Sequence, residues 1–244
     1  MRVRTRAWRT VRAALRRVGF DLIRSGDVRL HHVKRLELLH ERRIGLVLDV
    51  GANTGQYARR LRADGYRGRV VSFEPLAEAF AELERRAHGE VWWRCHRLAL
   101  GDVDGEALLH VAGNRLSSSL LAMAEAHRLA APESEVVGRE AVPVARLDSL
   151  RTGLLAEGEP AFLKLDVQGL ELSVLDGAQE TLRQLEALEC ELSLVELYEG
   201  QALLPELLAR LDEERFDLVS LEPAFREPVS GRLLQLEGLF ARRP

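Results

Sequence analysis

The stretch Leu46-Val47-Leu48-Asp49-Val50-Gly51-Ala52-Asn53-Thr54-Gly55 constrains the fold more than any other part of the chain. An apolar run ends in an acid, two glycines bracket small and polar residues, and QYARRLRADG follows with helical character. Strand, glycine-rich turn and helix form the layout that brings a backbone close to a nucleotide-like ligand. Asp49 and Gly51 fall where the strand ends, and Gly55 where the helix opens. The next strand-like run, RVVSFEP, delivers Glu74. That is about 20 residues beyond the glycines, where a βαβ unit positions a carboxylate for ribose hydroxyls.

The turn also narrows the ligand. It lacks the G-x-G-x-x-G order of a dinucleotide site. Asn53 fills the middle position, and Asn enters left-handed φ more readily than most residues. The turn stays tight without matching a pyrophosphate cradle. Acid-x-Gly-x-(Gly/Asn)-x-Gly resembles the S-adenosylmethionine loop of class I methyltransferases. An ordinary βα turn that binds nothing remains open at this point.

Composition sets outer bounds. A chain of 244 residues, 46% apolar and 30% charged, suits one globular domain with a full core. No apolar run approaches the ~20 residues needed to span a bilayer, and no signal-peptide h-region follows the basic N-terminus. Cys95 and Cys190 form no framework or CxxC pair, which points to a reducing, cytoplasmic setting. Charge is uneven: residues 1–45 carry net +9 and residues 46–244 net −12. The first 17 residues hold seven arginines and no acid. With no interleaved aromatics and no sustained apolar face, this segment reads as a basic helical cap over 1–45, and nucleic acid is not expected as a partner. Lys34 and Lys164 are the only lysines against 33 arginines, which singles out Lys164 within its motif-like stretch.

Helices are expected at 7–18, 30–41, 54–64, 76–87, 120–130, 148–155 (with Asp148 as N-cap), 171–185 and 202–213. Strands are expected at 46–50, 69–73, 91–99, 161–166, 189–196, 216–222 and 233–240. Residues 106–111 suit a short hairpin, and 140–146 an edge strand, because Pro143 cannot donate to a ladder. Alternating strands and helices imply an α/β fold, a mostly parallel sheet with helices on both faces. The last two strands lack a helix between them and read as an antiparallel hairpin. A ligand then lies at the carboxyl ends of the strands, near the switch point beside Gly51 to Gly55.

A second candidate site is Lys164-Leu165-Asp166-Val167-Gln168-Gly169-Leu170-Glu171. Lys164 and Asp166 alternate with Leu163 and Leu165 at the end of a buried strand, so Asp166 sits at the ligand rim. Glu171 falls in the first helical turn, where complementing the helix dipole competes with a ligand role. Glu196 is expected at the matching strand end one strand over. Carboxylates on one rim can orient a hydroxyl, hold a proton or bind a divalent metal, here Asp166 with Glu171 or Glu196. The polar loop Asn114-Arg115-Leu116-Ser117-Ser118-Ser119 is placed to cover a substrate. His96, His110 and His127 read as structural. No G-x-S-x-G elbow or GxxxxGK[ST] loop occurs, which excludes a serine hydrolase of the α/β class and a P-loop NTPase.

DVGANTGQYA, VVSFEPL, ALGD, VAGNRLSSSL, RLDSL, LKLDVQGLELSVLDGA, ELSLVELYEGQ and LLQLEGLF, in this order from residue 46 to the C-terminus, resemble the FkbM family of S-adenosylmethionine-dependent methyltransferases. The resemblance implies a class I methyltransferase (Rossmann-like) fold over 46–244, with a seven-stranded sheet and a reversed last hairpin. It implies methyl transfer to a hydroxyl of a sugar, polyketide or other small natural product. Asp49, Gly51, Asn53 and Gly55 would form the methionine-side turn and Glu74 would bind the ribose. Ala99, Gly101 and Asp102 would border the adenine. Asp166 would lie near the sulfonium, with Glu196 and Lys164 as further catalytic candidates. Asn114, Ser117, Ser118, Glu171 and Tyr198 would face the acceptor. A homo-oligomer is compatible with all of this. A nucleotide-linked oxidoreductase, and a non-catalytic module binding a partner through the basic arm, stand as alternatives.

Overall fold

The computed structural model describes residues 31–244, so the expected helix at 7–18 and the seven-arginine arm lie outside the described residues. Helix α1 (His31–Glu41) precedes β1 (Leu46–Val50), α2 (Gln56–Ala63), β2 (Arg69–Phe73), α3 (Ala77–Ala87), β3 (Trp93–His96), β4 (Ala99–Leu100) and β5 (Gly105–Ala112). Then come α4 (Glu125–Ala130), β6 (Val136–Ala145), α5 (Leu147–Leu154), β7 (Ala161–Leu165), α6 (Glu171–Asp176) and α7 (Gln179–Leu182). Last are β8 (Leu185–Ser193), α8 (Leu204–Glu213), β9 (Phe216–Arg226) and β10 (Leu233–Arg242). Seven strands form one sheet in the order β3-β2-β1-β7-β8-β10-β9. Its β3 to β8 ladders are parallel, and β10 pairs antiparallel with both β8 and β9. This is the α/β class expected: a seven-stranded, mostly parallel sheet closed by an antiparallel hairpin.

The sheet is buried on both faces, and the period of two sorts its residues between them. Leu46, Leu48, Val50, Leu163, Leu165 and Leu188 pack with Leu147, Val174, Leu175, Leu207 and Leu211 of α5, α6 and α8. Val47, Phe162, Ala187 and Leu239 face the other way, against Leu38 and Leu39 of α1 and Ala58 and Leu61 of α2. Order reverses between β1 and β7, so the ends of these two strands flank the switch point.

Several local expectations shift. The run 91–99 splits, because β4 leaves the main sheet to pair with β6 in a second sheet of order β4-β6-β5. Pro143 lies within β6, yet β4 pairs only with Val144 and Ala145, so no ladder on that side needs its missing N–H. In place of a short hairpin at 106–111, β5 pairs antiparallel with the distant β6, with α4 in the connection between them. The 120–130 helix shrinks to α4. The 171–185 helix breaks at Gly177, whose backbone approaches Gly101 so closely that a Cβ there would lie 1.9 Å from the Gly101 oxygen. Asp148 does not cap its own helix. Its carboxylate instead accepts the Glu180 and Thr181 N–H groups at 2.9 and 2.8 Å, and so opens α7. With the helix cut short, β8 starts at Leu185 and ends at Ser193, three residues before Glu196.

Candidate active site

The glycine turn is fixed by backbone geometry first. Gly51 has φ 72° and sits so near β7 that a Cβ would lie 1.8 Å from the Asp166 carbonyl oxygen. The Gly51 and Ala52 N–H groups both donate to the Phe73 oxygen at 3.0 Å, which stitches the turn to the end of β2. Asn53 takes φ 47°, and its side-chain oxygen accepts the Thr54 N–H at 2.7 Å. Gly55, at φ 84°, packs where a Cβ would strike the Trp93 ring. Small or left-handed-tolerant residues are therefore required at each of these places.

Glu74 closes the turn from the β2 side. Its two carboxylate oxygens accept different N–H groups, Asn53 on Oε2 and Leu76 on Oε1, each at 2.8 Å. Burial pushes this carboxyl up to about 7, against the pull of both N–H groups. Asp49 lies beneath the turn and does not line the cleft. It is fully buried, accepts the Ser72 hydroxyl at 2.9 Å and faces Lys164 Nζ at 3.6 Å. Burial raises its pKa, and Lys164 opposes that rise. The expected direct contact of Asp49 with a ligand is thus replaced by support of the turn.

Lys164 joins the two halves of the site. Its ammonium donates to the Gly51 carbonyl at 3.1 Å, the Val50 carbonyl at 3.4 Å and Asp166 Oδ2 at 3.3 Å. Burial lowers its pKa, but the Asp166 and Asp49 carboxylates outweigh burial and hold the lysine charged. Asp166 is the rim carboxylate, with 38% of its side chain exposed to the cleft. Its other oxygen accepts the Gln168 side-chain amide at 2.7 Å.

Gln168 organises the far side, and sequence reading passed over it. At φ 55°, its amide nitrogen donates to Asp166 and to Glu191 Oε2, the latter at 2.9 Å. Its amide oxygen accepts the Tyr198 hydroxyl at 2.7 Å, and its backbone oxygen accepts the Ser119 hydroxyl at 2.7 Å. Glu191 of β8, not Glu196, is the acid at the neighbouring strand end. Burial, with Asp166 and Glu171 nearby, pushes Glu191 well above the ordinary carboxylate range.

Glu196 is exposed, accepts the Gly200 N–H at 2.7 Å and takes no part in the cleft wall. Glu171 is turned inward, where its carboxylate accepts the Val167 N–H at 3.1 Å, and burial pushes it up to about 7. Asp166, Glu171 and Glu196 therefore do not converge as a metal-binding set.

The cleft has a volume of about 710 Å³, within the ~300–1,000 Å³ of small-molecule sites. Gly51, Asn53, Glu74, Leu98, Ala99 and Leu100 line it together with Tyr57, Lys164, Asp166, Gln168 and Glu237. Gly101 and Asp102 lie off the cleft, where Ser173 Oγ donates to the Asp102 carboxylate at 2.9 Å. The hydrophobic run Leu98–Leu100 takes the place expected for them. From the polar loop, Arg115, Leu116, Ser118 and Ser119 line the wall. Asn114 instead folds the loop on itself, accepting the Ser117 N–H at 3.1 Å. Ser117 and Tyr198 are buried behind the wall and act through Gln168 and His127. His127 is structural as expected, buried against Tyr198 and Phe225, and burial lowers its pKa.

A family model described as methyltransferase FkbM domain matches residues 49–218. The 2-O-methyltransferase NoeI of Sinorhizobium fredii is 29% identical over 184 residues, covering 73% of this chain and 74% of that protein. An rRNA methylase from Streptococcus thermophilus aligns structurally with TM-score 0.48 at 12% identity, over 92% of this chain and 100% of that one. TehB from Haemophilus influenzae aligns with TM-score 0.47 at 9% identity, over 88% of this chain and 63% of that one. The sequence match takes in the glycine turn, Glu74, the polar loop and the Lys164–Glu171 segment together, and the chain belongs to the methyltransferase FkbM domain family.

Proposed function

We propose that this methyltransferase uses S-adenosylmethionine to methylate a hydroxyl of a small molecule, with a sugar or polyketide-type natural product as acceptor. The observation that carries this reading is the Gly51 turn pressed against Asp166, with Glu74 and a rim carboxylate both lining the cleft. The residues fit the cofactor. Gly51 keeps open a cradle that a Cβ would fill, Glu74 retains lone pairs for ribose hydroxyls, and Leu98, Ala99 and Leu100 offer an apolar edge for adenine. The name of the Sinorhizobium relative favours oxygen as the methyl acceptor.

S-adenosylmethionine, when bound, supplies an electrophilic methyl group. The protein must then align an acceptor oxygen and take its proton. Asp166 is the base: it is exposed to the cleft, and Lys164 and Gln168 hold one oxygen each. A positioned base contributes about 10²–10⁴-fold, and alignment contributes several kcal/mol more, of the order of 7–11 in the best cases. No step runs through a metal, because the three candidate carboxylates point to different places. The catalytic unit is residues 46–244, and α1 forms part of its buried shell through Leu38 and Leu39.

Calorimetric titration with S-adenosylmethionine and S-adenosylhomocysteine tests the reading. Micromolar one-to-one binding of both is expected. No binding of either to folded protein, with and without Mg²⁺, refutes it.

A further inference from the structure

Glu237 lies on β10, lines the cleft, and has no part in the steps above. Neighbouring strands lie about 4.8 Å apart, so Glu74 at the end of β2 and Glu237 on β10 stand roughly 19 Å apart, with Asp166 after β7 midway. A nucleoside held at Glu74, with its methyl at Asp166, leaves Glu237 beyond the transfer point, on the acceptor side.

Behind Glu237 is a charged cluster built from four elements. Glu189 of β8 is fully buried, with a carboxylate oxygen within 4.8 Å of one on Glu237. Arg35 of α1 donates to Glu189 Oε1 and Oε2 at 2.9 and 3.1 Å. The Tyr57 hydroxyl of α2 donates to Oε2 at 2.9 Å, and His31 Nε2 of α1 stands 3.6 Å from Oε1. Lys164 of β7 lies beside Glu189 in the ladder, and Glu191 lies opposite Glu237. The ligand atoms of His31, Glu189 and Glu237 come within 4.8 Å of one another, but the Arg35 guanidinium already holds both Glu189 oxygens and neutralises the cluster without a metal.

Two carboxyl groups this close cannot both ionise without a large like-charge cost, so one keeps its proton. Arg35 and Tyr57 hold Glu189 as the anion, so the proton resides on Glu237. A neutral carboxyl group offers one O–H donor and an acceptor oxygen, which complements a hydroxyl. We infer that the Glu237 carboxyl group, seated on Glu189, receives a hydroxyl of a neutral polyhydroxylated acceptor and sets acceptor selectivity. The inference rests on the O-methyl-transfer reading. Burial and the Glu189 charge push Glu237 up to about 9, in keeping with the geometry. Arg35 and Glu237 both lie outside the family-matched residues, whereas the cofactor turn from Gly51 lies within them.

The test uses the full chain loaded with S-adenosylhomocysteine and labelled at the Glu carboxyl carbons. The Glu237 resonance, assigned by its loss in Glu237→Gln, is expected to report a neutral acid at neutral pH and to ionise near 9. It is expected to shift when methyl glycosides of hexoses are added as probes. In turnover of those probes, Glu237→Leu raises the acceptor KM about tenfold with kcat and cofactor affinity kept, the loss of one hydrogen bond. Glu237→Gln, which keeps one donor and one acceptor, raises the acceptor KM less than Glu237→Leu does and loses the alkaline decline in activity. A resonance that is ionised at neutral pH, or that no probe moves, overturns the inference, as does wild-type KM in both variants. Failure of wild-type protein to bind S-adenosylhomocysteine overturns the methyl-transfer reading itself, before Glu237 is reached.

Discussion

With Glu74 assigned to the ribose as proposed, cofactor binding is expected to depend on pH, and the direction follows from its surroundings. The carboxyl titrates at about 7 because burial disfavours its charge. Ribose hydroxyls donate to the ionised form, so binding below that pH must first remove a proton. Each pH unit below 7 then costs about 1.4 kcal/mol, or roughly tenfold in Kd. Stability of the ligand-free protein runs the other way. The folded-state pKa lies above the ordinary value of 4.5, so this contribution is fully present below 4.5 and is lost as pH rises through about 7. Glu74→Gln removes the titration and breaks the turn. Asn53 and Leu76 donate to different oxygens, so one N–H must face the new amide nitrogen. An unsatisfied donor of this kind costs about 1–3 kcal/mol, or roughly one to two decades in Kd. Calorimetry with S-adenosylhomocysteine across this pH range, in buffers of differing ionisation enthalpy, reads both Kd and proton release. A flat Kd in wild type, or wild-type affinity in Glu74→Gln, would refute the assignment of Glu74 to the ribose.

Gly51→Ala places a Cβ against the Asp166 carbonyl at a left-handed φ, so cofactor affinity should fall more than tenfold while circular dichroism keeps the native shape; unchanged affinity would move the cradle elsewhere. Gln168→Ala should lower kcat by about tenfold or more with little change in cofactor Kd, because it frees Asp166 to rotate. Gln168→Glu should be worse than alanine, since it sets a third acid between Asp166 and Glu191; the reverse order would show that Gln168 does not position Asp166. Lys164→Met strands the buried Asp49 without its cation and should cost about 3–5 kcal/mol in denaturant unfolding. Adding Asp49→Asn should recover part of that loss, and additive losses would contradict the pairing.

Those residues differ in how far the sequence announces them. Gly51, Asn53, Gly55 and Glu74 are legible because their constraint is local, a turn whose φ values admit few residue types and an acid one βα unit later. Asp166 and Lys164 are legible because an apolar strand ends on them. Glu196 is not the rim acid, because β8 spans Leu185–Ser193 and not 189–196, which leaves Glu191 near the strand end and Glu196 beyond it. Nothing in LKLDVQGLE distinguishes a helix-opening Glu171 that faces the cleft from one that folds back onto the Val167 N–H. Gln168 carries four connections through a left-handed backbone that its residue type does not signal. Arg35 lies outside every motif, and Glu237 sits in LLQLEGLF with nothing local to mark it; both come to Glu189 only because β10 returns beside β8 under α1.

The same packing explains a lysine in a chain that almost always writes arginine. Ser72, Asp49, Lys164 and Glu189 stand in register on β2, β1, β7 and β8, all buried. The desolvation of such a row is costly and is recovered only if every charge finds a partner. An ammonium at the centre can divide its donors among two turn carbonyls and Asp166, whereas a planar guanidinium directs its donors in one fixed fork. Lys164 therefore ties the Gly51 turn to Asp166, the proposed cradle to the proposed base, through one ammonium. On the proposed reading, cofactor binding and proton removal share one buried charge, and the Arg35–Glu189 pair one strand over extends the row to Glu237.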